Sequence, residues 1–158
     1  MLIVTMPTTP GACVLSGAAQ EAEELAKYSL RSRSIVDILE RPTVERVFEV
    51  LPAYSVAHFA CHGISSSNPA DSHLMLLKGT GGVDMLRVKD IASPKLPALR
   101  LTYLSACNTA NTTTLIDEAT HTVSAFHIAG FINVIGHEGE ACHKMATDFI
   151  LCSVRQTT

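Results

Sequence analysis

The sequence predicts a single α/β domain built on a mostly parallel sheet covered on both faces. Three observations predict it. Apolar runs of strand length alternate with segments of helical periodicity along the chain. The central runs, 55–61 and 99–106, are almost continuously apolar, as strands buried on both faces are. No repeat, low-complexity tract or linker divides the 158 residues, a length suited to one domain.

Taken in order, residues 2–6 form a short apolar strand ended by Pro7, and a Pro/Thr/Gly loop follows through Gly11. Residues 18–30 read as a helix with Ala22, Leu25, Ala26 and Leu30 on one face. Glu21, Glu23, Glu24 and Lys27 lie around the rest. Residues 34–39 are a β-branched strand candidate. Thr43 is placed to cap a helix reaching Leu51, with Val44, Val47, Phe48 and Leu51 on its apolar face and Pro52 beyond its end. The strand 55–61 stops at Gly63. A Ser/Asn/Pro loop covers 65–72, an apolar run 73–77, and a Gly-rich turn comes next. Residues 84–93 fit a short strand or a short helix equally. After the strand 99–106 come a polar loop at 108–114 and a helix at 115–129 stopped by Gly130. A strand at 133–136 and a helix at 140–151 complete the pattern.

Composition narrows the function. An apolar fraction of 47% and a charged fraction of 17% argue for a packed core. A net charge of −3 gives no general attraction to nucleic acid or anionic lipid, and no apolar run spans a bilayer. The opening residues lack the basic segment and apolar length of a secretory signal, so a cytoplasmic location is expected. Five cysteines, 13, 61, 107, 142 and 152, then sit in a reducing compartment where structural disulfides are rare.

Two strands end in reactive side chains: Ala57-His58-Phe59-Ala60-Cys61-His62-Gly63 and Thr102-Tyr103-Leu104-Ser105-Ala106-Cys107-Asn108-Thr109. In a parallel sheet both ends fall on one rim, where ligands bind. A free thiol titrates near 8.5 and needs a base within hydrogen-bond reach to become a nucleophile. His62 can supply that base for Cys107 and later return the proton to a leaving amine. The backbone N–H groups of Gly63 and Cys107 are candidates for an oxyanion hole. His62 precedes Cys107 by 45 residues; caspase-type enzymes place their histidine about 50 before the cysteine.

These strings, with Asp117-Glu118, Ser124-Ala125-Phe126 and Ala129-Gly130-Phe131, resemble the CHAT domain. Met6-Pro7-Thr8-Thr9-Pro10-Gly11 and Gly17-Ala18-Ala19-Gln20-Glu21 are similar to its fungal version. The likeness runs over about residues 2–136. That family is caspase-like, related to separases and often attached to tetratricopeptide repeats. The resemblance implies a three-layer caspase-like fold, a catalytic dyad of His62 and Cys107, a polypeptide substrate, and regulation by a partner or an attached repeat domain. It also implies a cysteine endopeptidase serving intracellular signalling or defence. The chain reads as a trimmed catalytic core without the repeats. It departs from the family after Val134-Ile135-Gly136, where Thr-Leu-Trp is usual and His137-Glu138-Gly139-Glu140 stands here. A scaffold that keeps the shape without turnover is the competing expectation.

Other candidates have plainer roles beside the functional ones. Asp117 and Glu118 either complement a helix dipole or line a pocket for a basic P1 side chain, with Asp71 and Asp84 as further acids. Cys61 alternates with His62 and is expected to be a buried hydrophobe. His58 is expected to be a core histidine, and His121 and His127 to face solvent or a rim. His62, Cys107, His137 and Cys142 could meet as zinc ligands, but no Cys-x-x-Cys or His-Glu-x-x-His spacing supports a metal. Gly79-Thr80-Gly81-Gly82 is not a phosphate loop, since Val83-Asp84 follows it. No metal, cofactor, nucleic acid or membrane is expected.

Overall fold

The computed structural model describes residues 1–31, 35–91, 101–105, 123, 124, 126–128 and 131–136. The elements in chain order are β1 (Leu2–Thr5), α1 (Ser16–Arg31), β2 (Asp37–Glu40), α2 (Val44–Val50), β3 (Val56–Ala60) and β4 (Gly63–Ile64). They continue with β5 (His73–Leu77), β6 (Val83–Arg87), α3 (Val88–Ile91), β7 (Leu101–Leu104) and β8 (Asn133–Gly136). The main sheet runs β2-β1-β3-β7-β8 with every neighbouring pair parallel. A smaller antiparallel sheet, β4-β5-β6, branches from the end of β3.

Side-chain alternation along the central strands divides the core in two. Leu2, Val4, Ala57, Phe59, Leu104 and Val134 face one side, where they pack with Val47, Leu51, Phe126 and the inner residues of the small sheet, Leu74, Leu76 and Leu86. Phe126 bridges Phe59 and Phe131, with ring centroids 6.4 and 5.2 Å away. Ile3 and Tyr103 face the other side, against Ala22 and Leu25 of α1. Each fully buried Leu, Ile or Phe contributes roughly 1.5–3 kcal/mol. The molecule is therefore an α/β fold of three layers: α1, the parallel sheet, and a mixed layer of α2, the small sheet and the helical residues around Phe126.

The expected elements mostly appear where their patterns put them. The Thr43 side chain caps α2, its hydroxyl accepting from the Arg46 N–H at 3.3 Å. The ambiguous 84–93 segment is strand as far as Arg87 and helix from Val88 to Ile91. Val123, Ser124 and Phe126 to Ile128 are helical, as expected for 115–129. The expected loop at 108–114 and helix at 140–151 lie outside the described residues. One difference is informative. The strand expected at 34–39 begins at Asp37 instead, because its edge register is tied by Asp37 N–H to the Met1 carbonyl (3.1 Å) and Arg41 N–H to that of Thr5 (2.8 Å). Ile35 is consequently left 79% exposed. The run 73–77, which its pattern assigns to no particular sheet, forms the middle strand of the antiparallel side sheet.

At the carboxyl end of β1 the chain makes a closed loop before α1. Ala12 N–H donates to the Thr9 carbonyl at 3.1 Å and Leu15 N–H to that of Pro7 at 3.0 Å. Gly11 turns the loop with φ of +77°, a conformation that favours glycine.

At the far side of the sheet, a methyl group added at Gly136 would run into the Val123 side chain. Gly136→Ala is expected to lower the urea midpoint, by about 1–3 kcal/mol of stability, with the slope unchanged. A midpoint equal to that of the native chain would show that the helix can retreat from β8 without cost.

Candidate active site

The carboxyl ends of β3 and β7 meet on one rim, because the two strands are adjacent and parallel. Their register is constant. Val56 pairs with Leu101, Ala57 with Thr102, His58 with Tyr103 and Phe59 with Leu104, and the Ser105 N–H donates to the Phe59 carbonyl at 2.9 Å. β3 ends at Ala60, and His62 follows two residues later, where the chain turns into β4.

His62 is 1% exposed. Its Nε2 lies 2.8 Å from the Cys13 carbonyl oxygen in the loop before α1. A carbonyl only accepts, so Nε2 carries the hydrogen and donates it. The neutral ring then keeps its lone pair on Nδ1, which is buried and has no hydrogen-bond partner among the described residues. One ring nitrogen is thus anchored and the other keeps an unengaged lone pair. The backbone is pinned as well. The His62 carbonyl accepts from the Met75 N–H at 2.8 Å, and buried Gly63 pairs with Leu74.

Cys61 points into the opposite core among Phe59 and Leu74, as its alternation with His62 requires. Desolvation pushes its thiol up to about 12, so it is inert at neutral pH. Cys13, in contrast, is exposed. His58 is fully buried, stacks on Tyr103 with ring centroids 5.3 Å apart, and sets Nε2 3.4 Å from Oε1 of Glu21. Glu21 is thus a correction to the sequence reading, which left it on the outer face of the helix. Ala18, Glu21, Ala22 and Leu25 are all buried, so the stripe that meets the sheet passes through position 21. The signal was available in the 18, 21, 25 spacing and in the need of an inward histidine for a partner.

The acids of the small-sheet side have other engagements. Asp71 pairs with Lys89 at 2.8 Å, and that hydrogen bond holds its carboxyl below the usual range. The Asp84 carboxylate accepts from the Met85 N–H at 2.8 Å. His127 is exposed and its Nδ1 lies 3.1 Å from the Phe131 carbonyl, a rim position as expected. Cys107, Asp117, Glu118, His121, His137 and Cys142 lie outside the described residues. Among the described residues no three His, Cys, Asp or Glu side chains converge as metal ligands, and no helix is long and apolar enough to cross a membrane.

A parallel sheet with helices on both faces, an antiparallel branch after the third strand, and a buried histidine at the shared rim define a caspase-like α/β domain. The family model of the CHAT domain matches residues 2–149, and the chain belongs to that family. No curated protein matches it.

Thiol alkylation separates the two described cysteines. In the native protein at pH 8, iodoacetamide is expected to modify Cys13 and to spare Cys61 until the chain unfolds, as peptide mass spectrometry would read. The raised Cys61 value also has a sign. The folded state keeps the proton that the unfolded thiol loses near 9.0, so this contribution to stability is whole below pH 9 and is lost as pH climbs toward 12. Rapid native labelling of Cys61 would contradict its burial.

Proposed function

We propose that the chain is a cysteine endopeptidase in which Cys107 is the nucleophile and His62 its base. The observation that carries this reading is one of register. β3 and β7 pair with a constant offset of 45 residues, from Val56 and Leu101 to Phe59 and Leu104. His62 and Cys107 are separated by the same 45 residues. Adjacent parallel strands end on one rim, and the equal sequence spacing supports pairing His62 with Cys107. Membership of a caspase-like family supports the same assignment.

In this mechanism Nδ1 of His62 takes the Cys107 thiol proton, and the thiolate adds to the scissile carbonyl. The N–H groups of Gly63 and Cys107 hold the oxyanion. As the C–N bond breaks, the imidazolium returns the proton to the leaving amine. Water, deprotonated by the same ring, then hydrolyses the thioester. The Cys13 carbonyl supports the imidazolium throughout, since it accepts from Nε2–H in both protonation states. No cofactor enters these steps. Asp117 or Glu118 would receive a basic P1 side chain, and a regulatory protein or an attached repeat domain would control access.

Labelling by a set of peptidyl acyloxymethyl ketones differing at P1 tests the proposal. The native chain is expected to be labelled, Cys107→Ala not at all, and His62→Ala at least about 100-fold more slowly. Cys13→Ala is expected to keep its labelling, because residue 13 acts through its backbone. Labelling that survives Cys107→Ala defeats the assignment. A folded chain that no probe labels favours the scaffold.

A further inference from the structure

The buried Glu21, His58 and Tyr103 cluster is not used by the mechanism above. Glu21 and His58 are both 0% exposed. Their 3.4 Å separation is within ion-pair reach but long for a well-made hydrogen bond. A buried pair of this kind is weak evidence for stability, since apolar groups of similar volume often serve the core as well or better. It does, however, fix one arrangement. A leucine at position 21 could sit against the sheet in several rotations of α1; a carboxylate that must meet one imidazole on β3 cannot.

The consequence reaches His62 along the chain. α1 starts at Ser16, three residues after Cys13. Its first turn is tied to β1 by the Thr5 hydroxyl, which donates to the Ala18 carbonyl at 3.2 Å, and to the loop by Ala18 N–H to the Leu15 carbonyl at 3.1 Å. Leu15 in turn closes the loop on Pro7. A rotation or slide of α1 on the sheet therefore moves the Cys13 carbonyl relative to Nε2 of His62. We infer that Glu21 is a positioning residue: its contact with His58 sets the seat of α1, and that seat holds the carbonyl that fixes the His62 tautomer. The inference deepens the proposed endopeptidase reading and rests on it only for the activity measurement.

The test uses two variants of the full chain. Glu21→Gln keeps shape and replaces the carboxyl group by an amide, and the double variant Glu21→Leu with His58→Phe replaces the pair by apolar groups while keeping a ring against Tyr103. The ¹⁵N shifts of the His62 imidazole, assigned by their loss in His62→Gln, report which nitrogen carries the hydrogen. The expected result is a cooperatively folded Glu21→Gln chain whose His62 leaves the pure Nε2–H form. Electrophile labelling should fall about tenfold or more, with the probe concentration for half-maximal rate little changed. Native-like His62 shifts in both variants overturn the inference. So does failure of both to fold, which would make the pair a stability element. If the native chain is not labelled at all but the His62 shifts still respond to Glu21→Gln, the endopeptidase reading fails and the positioning role stands.

Discussion

β3 is buried on both faces, and its alternation decides what every neighbouring residue can do. Ala57, Phe59 and Cys61 enter the core shared with the small sheet, while His58 faces α1 with Ile3 and Tyr103. A slip of one residue would drive Phe59 toward Glu21 and put an imidazole among leucines. The apolar face thus sets the position of the polar one: hydrophobic burial of Phe59 and Cys61 fixes which way the histidines point. His62, beyond the strand, keeps that direction because Met75 and Leu74 bind the backbone on either side of it.

The choice of a backbone carbonyl as the anchor for His62 has chemical consequences. A carbonyl only accepts, so it fixes the tautomer of the ring. The cost is that the carbonyl belongs to a loop, and a loop holds position only through its ends. Here both ends are rooted in regular structure, one in β1 through Met6 N–H to Ala60 and the other in α1.

The legible part of the sequence was the part written in periodicity. Continuous apolar runs marked β3 and β7, and Cys61 and His58 were assigned by counting alternate residues, whereas the adjacency of the two strands is shown only by their pairing. The illegible parts depended on partners far along the chain. β2 starts at Asp37 because β1 dictates the edge register, which overrode the β-branched Ile35 and Val36. Glu21 was read as a surface glutamate because charge outweighs spacing in a helical-wheel reading, although Ala18 and Leu25 bracket it on the buried stripe. The contact of Nε2 with Cys13 spans 49 residues and involves a backbone atom, so no side-chain pattern announces it. Cys107 rests on the family likeness and on its sequence spacing from His62, and Asp117 and Glu118 on the likeness alone.

These constraints converge on a single turn of chain. The segment 61–64 is gripped by the core through Cys61, by the loop before α1 through the His62 ring, and by β5 through the His62 carbonyl and Gly63. The Cys61 and β5 grips come from the side of the small sheet, and the Cys13 contact from the loop that leads into α1. Together they hold one imidazole in a fixed position just beyond the end of a buried strand. The small antiparallel sheet, which sequence periodicity did not announce as a separate element, contributes two of these backbone contacts. It is the third wall that turns the end of β3 from a fraying terminus into a fixed support.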